Sequence, residues 1–332
     1  MEQKRFEFIL GARQPIAHHC ETMGNMSVLM RRKVRQPNGG FASVPIVTGD
    51  TMRHGMREAS TYALLDAAGL LGRTNLSEAA LRLLFAGGMI TGSSGGTVKL
   101  GDYREMVDLV PTLALFGGCA QNRAIPGRLW VDDAVLICEE TRHLLPDWVL
   151  AWVGQAQGGE AVSLESCRAH VEEETRVRMD PTLDPGKRML LSGAALGAVE
   201  TRLLASETAS DSGDVVGKDR AKSTMLPRSC EVVVAGSLFF WSVTATCYTE
   251  LDEDTFLVSC AAFLSNARVG GKKATGHGLL KAAAGYQVQT RRPPEADSFD
   301  ADGLGERFGS IFARHIADRA ERIEMFLREV RA

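Results

Sequence analysis

The chain has 332 residues, of which 45% are hydrophobic and 24% are charged, and its formal net charge is -3. This composition is typical of a globular protein with a sizeable core, and it excludes a fibrous or wholly disordered chain. Because the net charge is small, a site for a polyanion has to come from a local cluster of cations.

The seven cysteines are scattered and contain no C-x-x-C pair. This spacing argues against a zinc ribbon or a disulfide framework and predicts reduced, mostly buried thiols. The chain opens on polar and charged residues, and no apolar run approaches the roughly 20 residues that span a bilayer. We therefore expect a cytoplasmic protein with no membrane partner.

A strand and a basic loop are predicted at the start of the chain. Lys4 to Leu10 alternates in polarity and predicts a strand with Phe6 and Phe8 on one face. Residues 11–45 are expected to be irregular, with four cations between Arg31 and Arg35. A basic loop beside a sheet suits a phosphate backbone, although a charge run is more often a solvated surface.

A helix is predicted next, with Asp50 or Thr51 as its N-cap. Arg53 and Arg57 lie four residues apart near its start and therefore share one face. Free N–H groups at a helix N-terminus and nearby cations together favour a phosphate. Two ordinary surface arginines are the alternative.

The middle of the chain is predicted to carry two insertions. Residues 60–112 contain helical patterns, with an Asn-x-x-Glu box at 75–78, a Gly-Gly end at 87–88 and a flexible glycine connector at 92–96. A strand is predicted at 128–136. From about residue 160 to residue 228 the composition shifts to mixed charges, which indicates a protruding, partly mobile insertion with a basic edge.

The last third combines strands, a glycine loop and a helix. Residues 231–246 and 255–264 are the strongest strand predictions, joined by an acidic turn. The loop Gly270–Gly278 holds four glycines and two lysines, and glycine lets backbone N–H groups converge on a phosphate. A flexible hairpin with solvated lysines is the alternative, since neither the Walker nor the GxGxxG spacing occurs. A returning strand is expected at 281–289, then a polar linker and an amphipathic helix at 303–331.

Catalytic residues have no convincing spacing in this sequence. His18-His19-Cys20 is the nearest to a metal cluster, but consecutive residues of an extended strand point to opposite faces. His277 could act as an acid or base in RNA cleavage through the 2′-OH, whereas a hydrogen bond to phosphate or backbone is favoured. We expect no catalytic residue, no metal and no cofactor. A small-ligand enzyme that binds a nucleotide at the glycine loop is a further alternative.

The order of the motifs carries a resemblance to a known family. The segments are the first strand, the basic loop, VPIVTGDTMRHGMREA at 44–59, LFGG at 115–118, GRLWVDDAVL at 127–136, EVVVAGSLFF at 231–240 and GGKKATGHG at 270–278. Together they resemble the repeat-associated (RAMP) superfamily, and most closely its CRISPR effector backbone subunits (the Cas seven group). The form RHGMREA is most like the type IV backbone subunit.

The resemblance implies an α+β fold over residues 1–332: a modified RRM-like (ferredoxin-like) palm with an antiparallel sheet, a helical insertion at 60–112 and a thumb-like insertion at 160–228. It implies a non-catalytic subunit that polymerises head to tail along guide crRNA and presents it to a complementary target, with DNA favoured. The implied partners are the crRNA, copies of the same chain and other CRISPR effector subunits.

Site residues follow from the basic loop and from the matched motifs. Thr51, Arg53 and Arg57 match helix-start residues that hold guide phosphates, and Gly270–Gly278 matches the C-terminal glycine-rich loop. The predicted RNA-binding residues are Arg31, Arg32, Lys33, Arg35, Thr51, Arg53, Arg57, Arg176, Arg178, Lys187, Arg188, Gly270, Gly271, Lys272, Lys273, Gly276 and His277.

One departure from the family pattern bears on catalysis. RNA-cleaving type III members have an aspartate ahead of the helix motif, whereas residues 27–36 contain no acid. The resemblance therefore implies a subunit that does not cleave RNA. A guide-RNA-processing or target-cleaving ribonuclease of the same superfamily is the alternative.

Overall fold

The computed structural model describes most of the chain. The described residues are 2–73, 76–88, 96–97, 99–120, 123–156, 163–176, 182, 184–211, 228–289, 297–298 and 309–329. Asn75, Arg178, most of the glycine connector at 92–96 and most of the polar linker after Gln289 lie outside these residues.

Three sheets contain the described strands. The strand bounds are β1 Glu2–Ala12, β2 His19–Met23, β3 Met26–Leu29, β4 Arg31–Arg35, β5 Phe41–Val47, β6 Gly96–Thr97, β7 Gly118–Ala120, β8 Arg123–Ile125, β9 Leu129–Val131, β10 Ala134–Leu136, β11 Val171–Arg176, β12 Arg228–Val233, β13 Leu238–Cys247, β14 Leu280–Gln289 and β15 Asp297–Ser298. The largest sheet has the order β15-β14-β1-β13-β10-β5-β4, and β9 also pairs with β13. Its central strands pair antiparallel, with β1 between β13 and β14.

The described residues also contain helices, several of which pack against each other. Their bounds are α1 Gly49–Ala67, α2 Glu78–Ala86, α3 Leu100–Leu109, α4 Pro111–Phe116, α5 Asp147–Ala156, α6 Pro185–Arg188, α7 Gly193–Asp211, α8 Glu250–Ser265, α9 Ser310–Ala317 and α10 Ala320–Glu329. None of the helices in the described residues combines the length and the apolar character that crossing a bilayer requires.

Strand β1 has the predicted facial pattern. Phe6 and Phe8 lie on one face and are buried in the main core, because successive side chains of a strand point to opposite sides. The ring of Phe8 stacks on Trp241 at 5.4 Å, and the ring of Phe6 meets Phe256 of α8 at 5.3 Å. Ile9 points the other way and packs with α5 in a separate cluster. The sheet is therefore covered on both faces near its centre.

The second predicted strand of the C-terminal third is wrong, because residues 250–265 form helix α8. Thr249 caps this helix: its hydroxyl accepts from the Asp252 N–H, and the Asp252 carboxylate accepts from the Thr249 N–H. The acids predicted to form a turn lie in the first helical turn, where the helix dipole favours negative charge. Buried residues surround this helix, so its sequence lacks the one-sided apolar periodicity of a surface helix.

The predicted irregular segment at 11–45 is also wrong, since it contains β2 to β5. Arg31–Arg35 is the edge strand β4, paired antiparallel with β5. The predicted turn after it is present: Gly39 has a φ of 90° and its N–H donates to Gln36 O at 2.9 Å. Val34 is the one buried side chain of β4, so the strand lacks the alternation that would have predicted it.

A second core holds the helical region and the C-terminus together. It contains Leu64, Leu83, Met106, Ile316 and Ile323, from α1, α2, α3, α9 and α10 respectively. The single helix predicted at 303–331 is two helices in its described part, broken between α9 and α10. The helix predicted to end at Gly87 does so, with that glycine in the left-handed region.

The chain divides into two compact units by its internal contacts. The first unit comprises residues 1–20, 29–172 and 232–332, and the second comprises 21–28 and 173–231. Within the second unit β12 runs parallel to β3, and α6 and α7 complete it. The predicted boundaries of the helical insertion and the thumb stay predictions.

A buried ion pair joins α8 to the start of β9. Arg128 donates to both carboxylate oxygens of Asp252, at 2.9 and 2.7 Å, and its Nε donates to Ala114 O. Asp252 also accepts from the backbone N–H groups of Tyr248 and Thr249. Burial alone would raise the pKa of Asp252, but the hydrogen bonds from Arg128 and the backbone outweigh it, so this pKa is lowered.

We expect Asp252→Ala to lower the free energy of unfolding by about 3 kcal/mol, because it leaves the Arg128 guanidinium largely buried without a counter-ion. Glu253→Ala is the matched control: its carboxylate pairs with Lys4 and is 37% exposed, so about 1 kcal/mol or less is expected. Urea unfolding followed by circular dichroism measures both. Equal losses for the two variants would contradict this role of the buried pair.

Candidate nucleic-acid interface

Residues 15–18 connect two of the predicted basic elements through backbone hydrogen bonds. Gly271 N donates to Ala17 O at 2.7 Å, and Gly278 N donates to Pro15 O at 2.9 Å. On the other side, Met30 N donates to His18 O at 2.7 Å, directly before β4 begins. The glycine loop and the start of the basic strand therefore flank the same short segment.

The side chain of His18 connects this segment to the start of α1. Its Nε2 accepts from Thr48 N at 3.3 Å and lies 3.2 Å from Thr48 Oγ1. Thr48, rather than the predicted Asp50 or Thr51, is the N-cap, and its hydroxyl accepts from Thr51 N. Burial, followed by the charge of His19, lowers the pKa of His18. The neutral ring therefore accepts a hydrogen bond.

Asp133, between β9 and β10, contacts the first turn of α1. Asp133 Oδ1 accepts from Gly49 N at 2.8 Å, while its Oδ2 accepts from Arg32 Nε at 2.9 Å. Gly49 is required here, because a Cβ would lie 2.3 Å from Val131 O. The helix start is thus held by Thr48 and Asp133, and Arg32 is tied to it. No local pattern in the sequence predicts this role of Asp133, because its partners lie 84 and 101 residues away.

Arg53 and Arg57 hold the α4–β9 connection. Arg53 donates to Leu129 O at 2.6 Å and Phe116 O at 2.7 Å, and Arg57 donates to Phe116 O and Gly117 O at 3.0 Å each. Both guanidinium groups lie over the Phe116 ring, at 6.0 and 5.3 Å. Burial and the charge of Arg53 lower the pKa of Arg57 to about 10, which leaves it cationic at neutral pH. These donors stabilise the fold, and phosphate contacts by Thr51, Arg53 and Arg57 stay a prediction.

The basic strand carries most of its cations at the surface. Arg32, Lys33 and Arg35 are exposed, and Arg31 is half-buried, with its Nη1 3.4 Å from Leu29 O. Arg32 is engaged with Asp133, as described above. Lys33 and Arg35 follow on the same edge strand and extend away from the start of α1.

The glycine loop approaches the protein's own backbone. A Cβ on Gly270 would lie 2.7 Å from Ala17 O, and one on Gly278 would lie 2.3 Å from Val269 O. Lys272 has a positive φ of 56°, and Lys273 is exposed. His277 is 2% exposed, and its Nδ1 lies 3.2 Å from Thr275 O. The favoured hydrogen bond of His277 to backbone is therefore present, and Gly270 and Gly278 allow the loop to pack closely.

The remaining predicted residues belong to the second unit. Arg176 pairs with Glu174 at 3.2 Å, and Lys187 lies 3.5 Å from Asp184. Arg188 is half-buried at the end of α6. Their contact with RNA stays a prediction.

Metal and thiol chemistry is limited in the part of the chain that the structure describes. There, no group of three or more His, Cys, Asp or Glu side chains could hold a metal ion. The seven cysteines are free thiols and five of them are buried, as the sequence predicts. Burial raises the pKa of Cys138 to about 12, so this thiol is unreactive at neutral pH.

We expect Gly278→Ala to destabilise the protein by more than about 3 kcal/mol, because the new Cβ would collide with Val269 O at a positive φ of 92°. Gly276→Ala is the matched control in the same loop. Gly276 also has a positive φ, of 83°, but nothing lies within 4 Å of its Cβ position, so about 1 kcal/mol is expected. Thermal unfolding separates the two variants, and similar losses would contradict the close packing of the loop.

We expect the protein to lose stability as the pH falls below 6.5, the ordinary pKa of histidine. The pKa of His18 is lowered in the folded state, so the unfolded chain takes up the proton first and is favoured by acid. His18→Gln should weaken this pH dependence, whereas His54→Gln, at an exposed position of α1, should leave it unchanged. Unfolding midpoints measured from pH 7.5 to pH 5.5 test this, and an unaltered profile for His18→Gln would overturn it.

Comparison with solved structures shows a similarity in fold. No protein-family model matches the chain, and no curated protein matches it. Among solved structures, the chain is similar to a chain of a "Type IV-B CRISPR Complex", with a TM-score of 0.50 and 16% sequence identity. The match covers 91% of this chain and 98% of that chain. It agrees with the resemblance seen in the sequence and confirms the predicted α+β architecture with an antiparallel sheet. The chain therefore has the fold of a chain found in a type IV-B CRISPR complex.

Proposed function

We propose that this protein is a non-catalytic backbone subunit of a CRISPR ribonucleoprotein, which binds guide crRNA through exposed cations of β4 and the glycine loop. The observation that carries the proposal is the segment at 15–18, which holds both elements by backbone hydrogen bonds. Lys33, Arg35 and Lys273 are exposed on these elements. A chain with a net charge of -3 attracts RNA where such cations are concentrated.

The structural neighbour supports membership of an effector complex. It comes from a type IV-B CRISPR complex, and the match extends over 98% of that chain. The similarity is therefore to a whole subunit. Other subunits of such a complex are the partners that the proposal requires.

A backbone subunit assembles along RNA through head-to-tail contacts between copies of the chain. Head-to-tail contacts that do not close into a ring produce an open filament, so the RNA sets its length. Contacts to phosphates carry little sequence information. The subunit can then bind any guide and present its bases to a complementary strand, with DNA as the favoured target.

The absence of catalysis is part of the proposal. His277, the candidate acid or base, is buried and bonded to backbone within its own loop, which gives a substrate 2′-OH no access to it. The basic strand and the residues before it contain no acid between positions 27 and 36. These observations favour a binding subunit over the ribonuclease and nucleotide-enzyme alternatives.

We expect Lys33→Gln with Arg35→Gln, and separately Lys272→Ala with Lys273→Ala, to weaken binding of single-stranded RNA. Removing one cation that binds a phosphate should flatten the plot of log affinity against log salt by about 0.7, and removing two should flatten it by about 1.4. Fluorescence anisotropy across a salt series measures this, and sedimentation measures RNA-driven assembly.

Lys99→Gln with Arg104→Gln removes the same charge from exposed positions at α3 and should leave the slope unchanged. RNA recovered at full length after incubation with and without EDTA would agree with a non-catalytic subunit. Wild-type binding without salt dependence, or equal slopes for all variants, would overturn the proposed function.

A further inference from the structure

The β4–β5 hairpin exposes an aromatic ring beside its cations. Phe41, the first residue of β5, is 69% exposed. It pairs directly with Arg35, and Ser43 pairs with Lys33. Directly opposite residues of an antiparallel pair point to the same face, with their Cβ atoms about 5 Å apart. The ring of Phe41 therefore shares one face of the hairpin with two exposed cations.

The other face of the hairpin packs on the protein. Val34 is buried in the main core, and Ala42, its partner in the pairing, packs against that core. Since side chains alternate along a strand, the face with Phe41, Lys33 and Arg35 is directed to solvent. The cations on this face recur about every 6.7 Å along β4, which is twice the rise per residue of a strand.

The turn of the hairpin is ordered by its own hydrogen bonds. Gly39 N donates to Gln36 O, Gly40 N donates to Asn38 Oδ1, and Gln36 Nε2 donates to Glu140 O at 3.0 Å. The first two bonds lie within the turn at residues 36–40, and the third joins the turn to the short helical segment at 139–144 of the same unit. The exposed ring is thus held on a pre-organised element, which lowers the entropy cost of binding.

Protection of the sheet edge explains part of this surface. Charged residues on an edge strand prevent unwanted pairing with another chain, which accounts for Lys33 and Arg35. It does not account for Phe41, because an exposed aromatic ring on an edge hairpin promotes association. A ligand that offers both a negative charge and a flat apolar surface uses the whole face.

We propose that this face binds single-stranded nucleic acid, with an unpaired base stacked on Phe41 and flanking phosphates held by Arg35 and Lys33. Aromatic side chains beside cations are the general recognition chemistry for unpaired strands. Bases in a duplex are stacked on their neighbours and cannot reach the ring. The inference deepens the proposed function and rests on it, since it makes this contact selective for single strands.

The test compares two oligonucleotides of equal length, oligo(A) RNA and a fully abasic backbone. Wild-type protein should prefer oligo(A), and Phe41→Ala should reduce that preference by about fivefold or more, which is the lower end of the contribution of one stacked base. Affinity for the abasic strand should change little. Phe41→Trp should retain the preference, and its fluorescence should be quenched by oligo(A) and not by the abasic strand.

Trp130→Ala is the matched control. Trp130 is 53% exposed and pairs with Thr244 on β13, so it lies on another strand and faces no cation in that pairing. Its removal should leave the preference for oligo(A) intact. Circular dichroism confirms that each variant is folded.

Three outcomes would overturn the inference. If Phe41→Ala loses the same affinity for oligo(A) as for the abasic strand, the ring does not stack on a base. The proposed function would still hold in that case, provided that wild-type affinity for RNA falls steeply with salt. If Phe41→Ala keeps the preference for oligo(A) but no longer self-associates in the absence of RNA, the face binds a second copy of the chain instead. Wild-type protein without salt-dependent RNA affinity would overturn the proposed function as well.

Discussion

The hydrogen bonds of residues 15–18 fix the relative positions of three parts of the chain that are remote in sequence. The carbonyls of Pro15 and Ala17 accept from the glycine loop, and the His18 carbonyl accepts from the residue before β4. The His18 ring then bonds to Thr48 at the start of α1. Because most of these bonds use backbone groups, they depend on close approach rather than on particular side chains. The absence of a Cβ at Gly270 makes that approach sterically feasible.

Burial divides the cations of this region into two groups. Arg53 and Arg57 lie partly buried and donate to backbone carbonyl oxygens, so their charge serves the fold. Lys33, Arg35 and Lys273 remain exposed, where a phosphate can replace water with little desolvation cost. The proposed RNA surface therefore consists of the second group.

The proposed RNA contacts depend on this chain's own side chains rather than on those of its structural neighbour. The two chains share a fold and 16% of their residues, so the chemistry of each surface of this chain carries the proposal. We propose the β4–β5 hairpin as the surface for single strands, because Phe41 and Arg35 form a direct cross-strand pair. In the proposed contact, the cations supply affinity that is independent of sequence, and the exposed ring adds selectivity for bases that are not paired.

Local patterns were sufficient for β1, for α1, for the end of α2 at Gly87 and for β14, because strand alternation, helix periodicity and glycine end signals act over a few residues. The sequence also located the cation clusters. Tertiary structure decided that α8 is a helix, since burial on several sides removes the periodicity that distinguishes it from a strand. It likewise decided the roles of Arg53 and Arg57, whose carbonyl partners lie about 60 to 76 residues away in sequence. Contacts at such separations leave no pattern in the local sequence, because they form only when the sheet and the helices pack together.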